Sequence, residues 1–499
     1  MNGTESMELS GRIRHGAKWL FTGTVGGRML QFLFNIALAR ILVPSDFGML
    51  VTLQIFTGLA GYFSGAGMGQ ALVQVKDLEE HYYDVVFTIQ LIIGVMLFGL
   101  FWMIAPEFAR FFENDLYVPL LRVSALSFLW RPLATVQNAK LQREMRFREI
   151  STARIASQVV AGLFTIFLAA RGLGVWSLIF GGLFHGILLI FILFRFSGWQ
   201  PALRFEAKTG KRLGTYGLKV TANSLLDHFG QHIDNLFVSK ILGSSPLGLY
   251  NKGYSLSDMP KQIVSKSTYK ILFRAFSKEQ SNLDLSRYLF YSSIKLILLY
   301  TTPIFVGMWW IAEPFVHVLY GEKWMGCVPI IRILMLMGIA RCLGNISGSV
   351  IEAQNRLGKE FFIFVQSLAL LTIGCALFTH KGIEYVAIIV LIRTGYATLR
   401  IVFFACKLLH ARIGQVARAA APGLGFSLTM LLGLYLEDRL GLASIRSSHE
   451  ALYLLIVVAS GVILYGAQCV FLPVPSIAPE VAKWKRKIRT LWAMGTANA

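Results

Sequence analysis

Charge is scarce in this chain. Of its 499 residues, 15% are Asp, Glu, Lys or Arg, against about 25% in a soluble protein. Acids are the scarcer sign, 27 against 48 Lys and Arg, which leaves a net charge of +21. The five cysteines, Cys327, Cys342, Cys375, Cys406 and Cys469, show no CxxC and no metal-ligand spacing. That excludes a disulfide framework and a zinc site, and they read as small packing residues of apolar segments. GxxxxGK[ST], HExxH and GxSxG are missing too, so nothing points to ATP hydrolysis, metalloproteolysis or serine-hydrolase chemistry. No cofactor is expected, and no enzyme. Long polar stretches are lacking: segments between apolar runs reach only about 17 residues, whereas a folded soluble domain needs about 50.

What is present is apolar. The chain is 55% hydrophobic, with mean hydropathy +0.58, and its apolar residues fall in runs of about 20, the length that crosses a bilayer. Met1 to Arg14 is polar, so no cleavable signal peptide is expected. The basic excess follows the runs rather than forming a nucleic-acid stripe. Clusters such as Lys140/Arg143/Arg146/Arg148, Arg204/Lys208/Lys211/Arg212, Lys270/Arg274/Lys278 and Lys483/Lys485/Arg486/Lys487/Arg489 fall in alternate connections, which makes those connections and both termini cytoplasmic. Membrane lipids are partners for the last of these, and no nucleic acid is expected.

The chain repeats itself at an offset of 200 residues. Gln31 to Leu50 matches Gln231 to Tyr250, with Gln31/Gln231, Asn35/Asn235, Ile41/Ile241, Leu42/Leu242, Ser45/Ser245 and Gly48/Gly248 identical. A second echo pairs Val118-Pro119 and Arg122 with Val328-Pro329 and Arg332, and Arg131 with Arg341. Paired homologous halves are a common plan of secondary transporters. The expected fold is an all-α polytopic membrane protein of about 14 transmembrane helices: two pseudo-symmetric six-helix lobes (1–200 and 201–410), a terminal helix pair (411–475) and a basic cytoplasmic tail (476–499). Helices near 213–242 and 247–272 are too polar for hydropathy alone and are assigned as repeat partners of the first two. Pro132 and Pro303 lie inside helices and predict kinks. Gly65-Ala66-Gly67-Met68-Gly69 reads as a closely packed or flexible helix end, not a phosphate loop.

Ionisable side chains at membrane depth are costly, so each needs a reason. Thr24, Arg28, Gln31 and Asn35 share one helical face, and Asn223, Asp227, Gln231 and Asp234 share another. These matched stripes line either a hydrated cavity or a hydrogen-bonded seam between helices. Arg131 and Arg341 are matched deep cations, serving a cavity or an internal ion pair. Arg122 and Arg332 lie about one turn inside their helices and snorkel to the interface. Tyr254 and Asp258 share a face, as do Arg393, Tyr396 and Arg400. A cationic interior suits a polyanion such as a pyrophosphate, because guanidinium forks match phosphate oxygens.

The stretch GAKWLFTGTVGGRMLQFLFNIALARILVPSDFGML, then FSGAGMGQALVQ, and the motif from Lys240 to Leu256 resemble Wzx-type oligosaccharide flippases. The nearest branch is that of colanic-acid and exopolysaccharide exporters, in the superfamily that includes multidrug antiporters (MATE) and lipid II flippases. The resemblance covers roughly the whole chain. It implies alternating access in the bacterial inner membrane and a cargo of oligosaccharide linked to undecaprenyl pyrophosphate, for exopolysaccharide or lipopolysaccharide synthesis. Polymerase or export machinery are possible partners on that reading. The terminal pair would then hold the lipid tail. The substrate-binding candidates are Arg28, Gln31, Asn35, Arg131, Asn223, Gln231, Tyr254, Arg341, Arg393 and Arg400. Asp227, Asp234 and Asp258 either change charge during the cycle or neutralise the cations. The alternatives are a cation-exporting multidrug antiporter, which a cationic cavity disfavours, and a membrane polymerase or ligase, which would need a large outer loop.

Overall fold

The computed structural model describes residues 3–65, 67–75 and 77–472. Every regular element among them is helical. The basic tail lies outside the described residues. Contacts divide the chain into two compact units, Met1–Asn251 and Lys252–Ala499.

The first unit holds α1 (Gly3–Ile41), α2 (Pro44–Gly65), α3 (Met68–Gln74), α4 (His81–Phe112), α5 (Tyr117–Ala125), α6 (Ser127–Arg143), α7 (Phe147–Ala170), α8 (Val175–Ser197) and α9 (Ala207–Leu242). The boundary cuts α10 (Ser244–Lys278) near its start. The second unit continues with α11 (Leu283–Tyr320), a 3-10 turn (Glu322–Cys327), α12 (Val328–Ala353), α13 (Leu357–Phe378), α14 (Ile383–Leu409), α15 (Ile413–Glu437), α16 (Ala443–Ser448) and α17 (Glu450–Phe471). Among the described residues, ten helical segments are long and apolar enough to cross a membrane by themselves. The chain is therefore a multi-pass membrane protein. α1, α6, α9 and α10 are not among the ten. Polarity disqualifies α9 and α10, which run to 36 and 35 residues.

Two helices expected to be continuous are broken. The second ends at Gly65 and resumes as α3 after Gly67, whose φ of 60° is left-handed. A side chain there would also strike α9, because a Cβ on Gly67 would lie 2.5 Å from the Gly217 carbonyl oxygen. The helical stretch from Tyr117 to Arg143 is interrupted at Leu126, between α5 and α6. Pro132 lacks the N–H that would bond the Phe128 carbonyl, and Gly94 of α4 packs directly on that oxygen. α11 runs on through Pro303.

Lipid supplies no hydrophobic force between helices, so small residues and polar contacts hold them. In the first unit the start of α2 meets the start of α10. A Cβ on Gly48 would sit 1.7 Å from the Ser244 oxygen, and one on Gly248 1.9 Å from the Pro44 oxygen. Buried Thr52 and Ser239 hydroxyls join α2 to α9 at 2.6 Å. In the second unit the Thr302 hydroxyl donates to the Leu298 and Gly423 carbonyls and receives Ser427 (2.6, 2.9 and 3.0 Å). The Tyr465 hydroxyl donates to the Leu299 carbonyl (2.6 Å). These bonds fasten α15 and α17 to α11. All five cysteines are buried and none is disulfide-bonded.

Candidate functional site

In the first unit, α1 presents Gln31 to the exterior, with Arg28 and Asn35 half-buried. Asn35 caps its own helix turn, donating to the Gln31 carbonyl at 2.9 Å. On α9, Asp227 and Gln231 are exposed, so the repeat-matched glutamines Gln31 and Gln231 share the same accessibility. Asp234 departs from the expected stripe. It is buried and accepts the Tyr250 hydroxyl at 2.6 Å and the Asn235 amide at 2.9 Å. The stripe on α9 therefore turns inward at its last member, since the 36-residue helix packs that end on its neighbours. The side chain of Asn223 lies outside the described residues.

Arg131 projects from α6 against α2. Its Nη1 lies 1.9 Å from where a Cβ on Gly61 would be, so the guanidinium packs directly on that glycine and would have to shift to admit a side chain there. Arg131 is exposed, and no ion pair to it is formed among the described residues. Beside Gly61, Tyr62 meets the edge of the His228 ring at 5.5 Å. His228 Nε2 donates to the Ile55 carbonyl at 2.8 Å, and the His232 ring lies 4.5 Å from that of His228. This histidine pair was no candidate from sequence; its spacing of four on a polar helix was the available signal.

In the second unit, Arg341 of α12 donates from Nη1 to Asp258 Oδ1 (2.7 Å) and from Nη2 to the Tyr254 hydroxyl (2.6 Å). Of the two roles left open for Arg341, the internal ion pair is thus formed. Its side chain is 15% exposed and that of Asp258 18%. The shared face of Tyr254 and Asp258 read from sequence brings both to one guanidinium. On α14, Arg400 donates to the Tyr396 hydroxyl (2.9 Å), which donates in turn to Gln366 (3.0 Å). Arg393, half-buried, lies two turns away. Arg122 stacks on Trp102 at 4.7 Å, and Arg332 pairs with Glu313 at 3.1 Å. Sequence reasoning also passed over Lys252, which is buried between the rings of Tyr320 and Trp324 (4.9 and 4.8 Å).

None of these clusters sets a nucleophile beside a base, and no group of metal-ligand type forms among the described residues. A family profile described as polysaccharide biosynthesis protein matches residues 37–329. The chain belongs to that family. The teichuronic acid biosynthesis protein TuaB of Bacillus subtilis (strain 168) is 26% identical over 374 residues, 74% of this chain and 77% of its own length. The lipopolysaccharide biosynthesis protein WzxC of Escherichia coli (strain K12) is 25% identical over 377 residues, 73% and 76% of the two chains. The succinoglycan biosynthesis transport protein ExoT of Rhizobium meliloti (strain 1021) is 25% identical over 316 residues, 63% of each. In fold, the chain matches the lipid II flippase MurJ in its inward closed conformation (TM-score 0.70, 16% identity, 89% of this chain and 96% of that one). An inward-facing MATE family transporter of the MOP superfamily follows at TM-score 0.59, 14% identity, 76% and 94% coverage. The resemblance read from the sequence holds at the level of family and fold: this is a multi-pass membrane protein of the polysaccharide biosynthesis family with the MurJ/MATE fold.

Proposed function

We propose that this protein flips a polyprenyl-pyrophosphate-linked oligosaccharide across the bacterial inner membrane by alternating access. The observation that carries the reading is Arg131. It is a guanidinium about one turn into α6, exposed, lying against Gly61 of α2, and with no carboxylate in ion-pair range among the described residues. A cation left in that condition calls for water and an anion, and a pyrophosphate supplies oxygens in the geometry a guanidinium fork matches. Arg28 in the first unit, and Arg341, Arg393 and Arg400 in the second, are the other cations assigned to the cargo. Gln31, Asn35, Asn223, Gln231 and Tyr254 meet the sugar hydroxyls. Asp227 and Asp258 balance charge or titrate during the cycle, while Asp234 is assigned to the Tyr250 bond instead. The undecaprenyl tail runs along α15 and α17, where Leu428, Leu432 and Leu436 of α15 form an exposed stripe with a period of four.

The topology that goes with this reading has 14 spans in two six-helix repeats (1–200 and 201–410) and a terminal pair (411–475), with both termini cytoplasmic. The four helices that do not qualify alone cross as part of the bundle, their polar faces turned to water or protein. Reporter fusions after Arg418 and after Arg439 should report opposite sides. The functional test is Arg131→Ala. Export of the polymer should stop while the protein inserts at wild-type abundance and the lipid-linked oligosaccharide accumulates. Arg131→Lys should restore it in part, because a point charge cannot reproduce the fork. Normal export by Arg131→Ala at normal abundance would remove the reading.

A further inference from the structure

A second polar site lies in the second unit, at the end of α11. The connection from α15 to α17 folds over that end as a π turn (Asp438–Leu442) and the short α16. They border a half-open pocket of about 290 Å³ lined by Trp309, Trp310, Arg332, Asp438, Arg446 and Tyr453. Its charges are already matched. Glu313 of α11 receives Arg332 Nη2 of α12 at 3.1 Å and Arg446 Nη2 of α16 at 2.7 Å. Asp438 accepts the Tyr453 hydroxyl on both carboxylate oxygens, at 2.9 and 3.0 Å. Two cations and two carboxylates therefore meet around two indoles.

This differs from the lining around Arg131. A balanced pocket offers no net attraction to a phosphate. It does offer hydrogen-bond acceptors on Asp438 and Tyr453 and donors on Arg332 and Arg446, arranged beside large flat aromatic surfaces. A sugar ring needs that combination: hydroxyls that donate and accept, and a C–H face that packs on an indole. The volume stands at the small end of ligand sites and fits one ring rather than a chain. Tryptophans that serve only as interfacial anchors sit at headgroup level; these two line a concavity shared with charged groups from three other elements.

We infer that this pocket is a binding site for a single uncharged sugar residue of a glycan, distinct from the groups assigned to the pyrophosphate. The inference rests on the proposed function for the source of the glycan and on the proposed topology for its side: α11 ends outside, so the site would hold a sugar unit on the receiving face.

The full-length protein in lipid nanodiscs should be tested by saturation-transfer NMR with three probes, the methyl glycosides of glucose, galactose and mannose. At least one should receive saturation. Binding should weaken roughly tenfold in Asp438→Asn, as the loss of one charge-assisted contact implies, and also in Trp309→Ala. Arg131→Ala should leave it intact. Asp438→Asn is nearly isosteric and carries the test alone if Trp309→Ala does not accumulate. Three outcomes overturn the inference: no transfer to any of the three glycosides, transfer unchanged by both pocket substitutions, or preferential binding of methyl glucuronide or glucose phosphate. Binding lost only in Arg131→Ala would assign the sugar to the other site and also overturn it, leaving the proposed function in place. Pocket binding as expected, with normal export by Arg131→Ala, would instead remove the proposed function alone.

Discussion

Gly48 and Gly248 pack reciprocally: each lies against the first residue of the other's helix, Ser244 and Pro44. The two positions are identical in the 200-residue repeat, and the repeat is thereby expressed as a contact. Both contacts are backbone on backbone, at distances no side chain tolerates. Gly48→Ala and Gly248→Ala should each destabilise the protein by about 1–3 kcal/mol, the usual cost of overpacking. Gly395→Ala, on α14 with nothing within 4 Å of its Cβ position, should be neutral or slightly stabilising, since alanine is the better helix former. Thermal unfolding in detergent reads all three; equal effects at Gly48 and Gly395 would contradict the close approach.

Arg131 and Arg341 are repeat partners with different surroundings. Arg341 is ion-paired to Asp258 and Arg131 is not ion-paired among the described residues. Arg341→Ala should therefore cost stability, on the order of 1–3 kcal/mol, below the roughly 3–5 kcal/mol of a fully buried pair. Arg131→Ala should cost little. The double variant Arg341→Ala/Asp258→Ala should regain part of the lost stability without regaining export. If the double variant is less stable than the sum of its singles, the pair is not the source of the effect.

Asp234 and Gln231 lie three residues apart on α9 but should behave differently. Tyr250→Phe removes the hydroxyl that Asp234 accepts, and a hydrogen bond to a charged group is worth about 1.5–3 kcal/mol. Gln231→Ala should leave stability within about 0.5 kcal/mol while impairing export. Urea or thermal unfolding separates the two.

Outside the membrane, Glu206 ties the start of α9 to α4. Hydrogen bonds from Thr209 and then His81 hold its carboxyl below the ordinary range. A carboxylate with a depressed folded pKa stabilises the fold above its unfolded pKa and loses that contribution as pH falls through the folded one. The gap in melting temperature between the wild type and Glu206→Gln should be open at neutral pH. It should close as the pH drops below the ordinary carboxylate range. A gap that stays constant with pH would mean that the bond carries no charge.

The all-helical membrane class was legible because apolar runs of membrane length are hard to hide. α9 and α10 were legible only through the repeat, which supplied what hydropathy lacked. The break at Gly67 was not, since it depends on which backbone passes nearby, that of Gly217 on α9. Helical spacing correctly joined Tyr254 to Asp258 and put Gln31 and Gln231 at matching exposure. It misplaced Asp234, whose partner Tyr250 belongs to the next helix. The pocket at Asp438 escaped notice because its lining is spread from Trp309 to Tyr453 and no local pattern marks it.

The burial of all five cysteines has a practical consequence. Cys327, Cys342, Cys375, Cys406 and Cys469 are each at most 3% exposed, so an impermeant maleimide has almost no native thiol to find. Engineered single thiols can be read in the otherwise natural sequence, with no cysteine-free background to build and no repacking of the core it would entail. Labelling at positions 231 and 234 would then compare the open and the closed turn of α9 directly in the membrane.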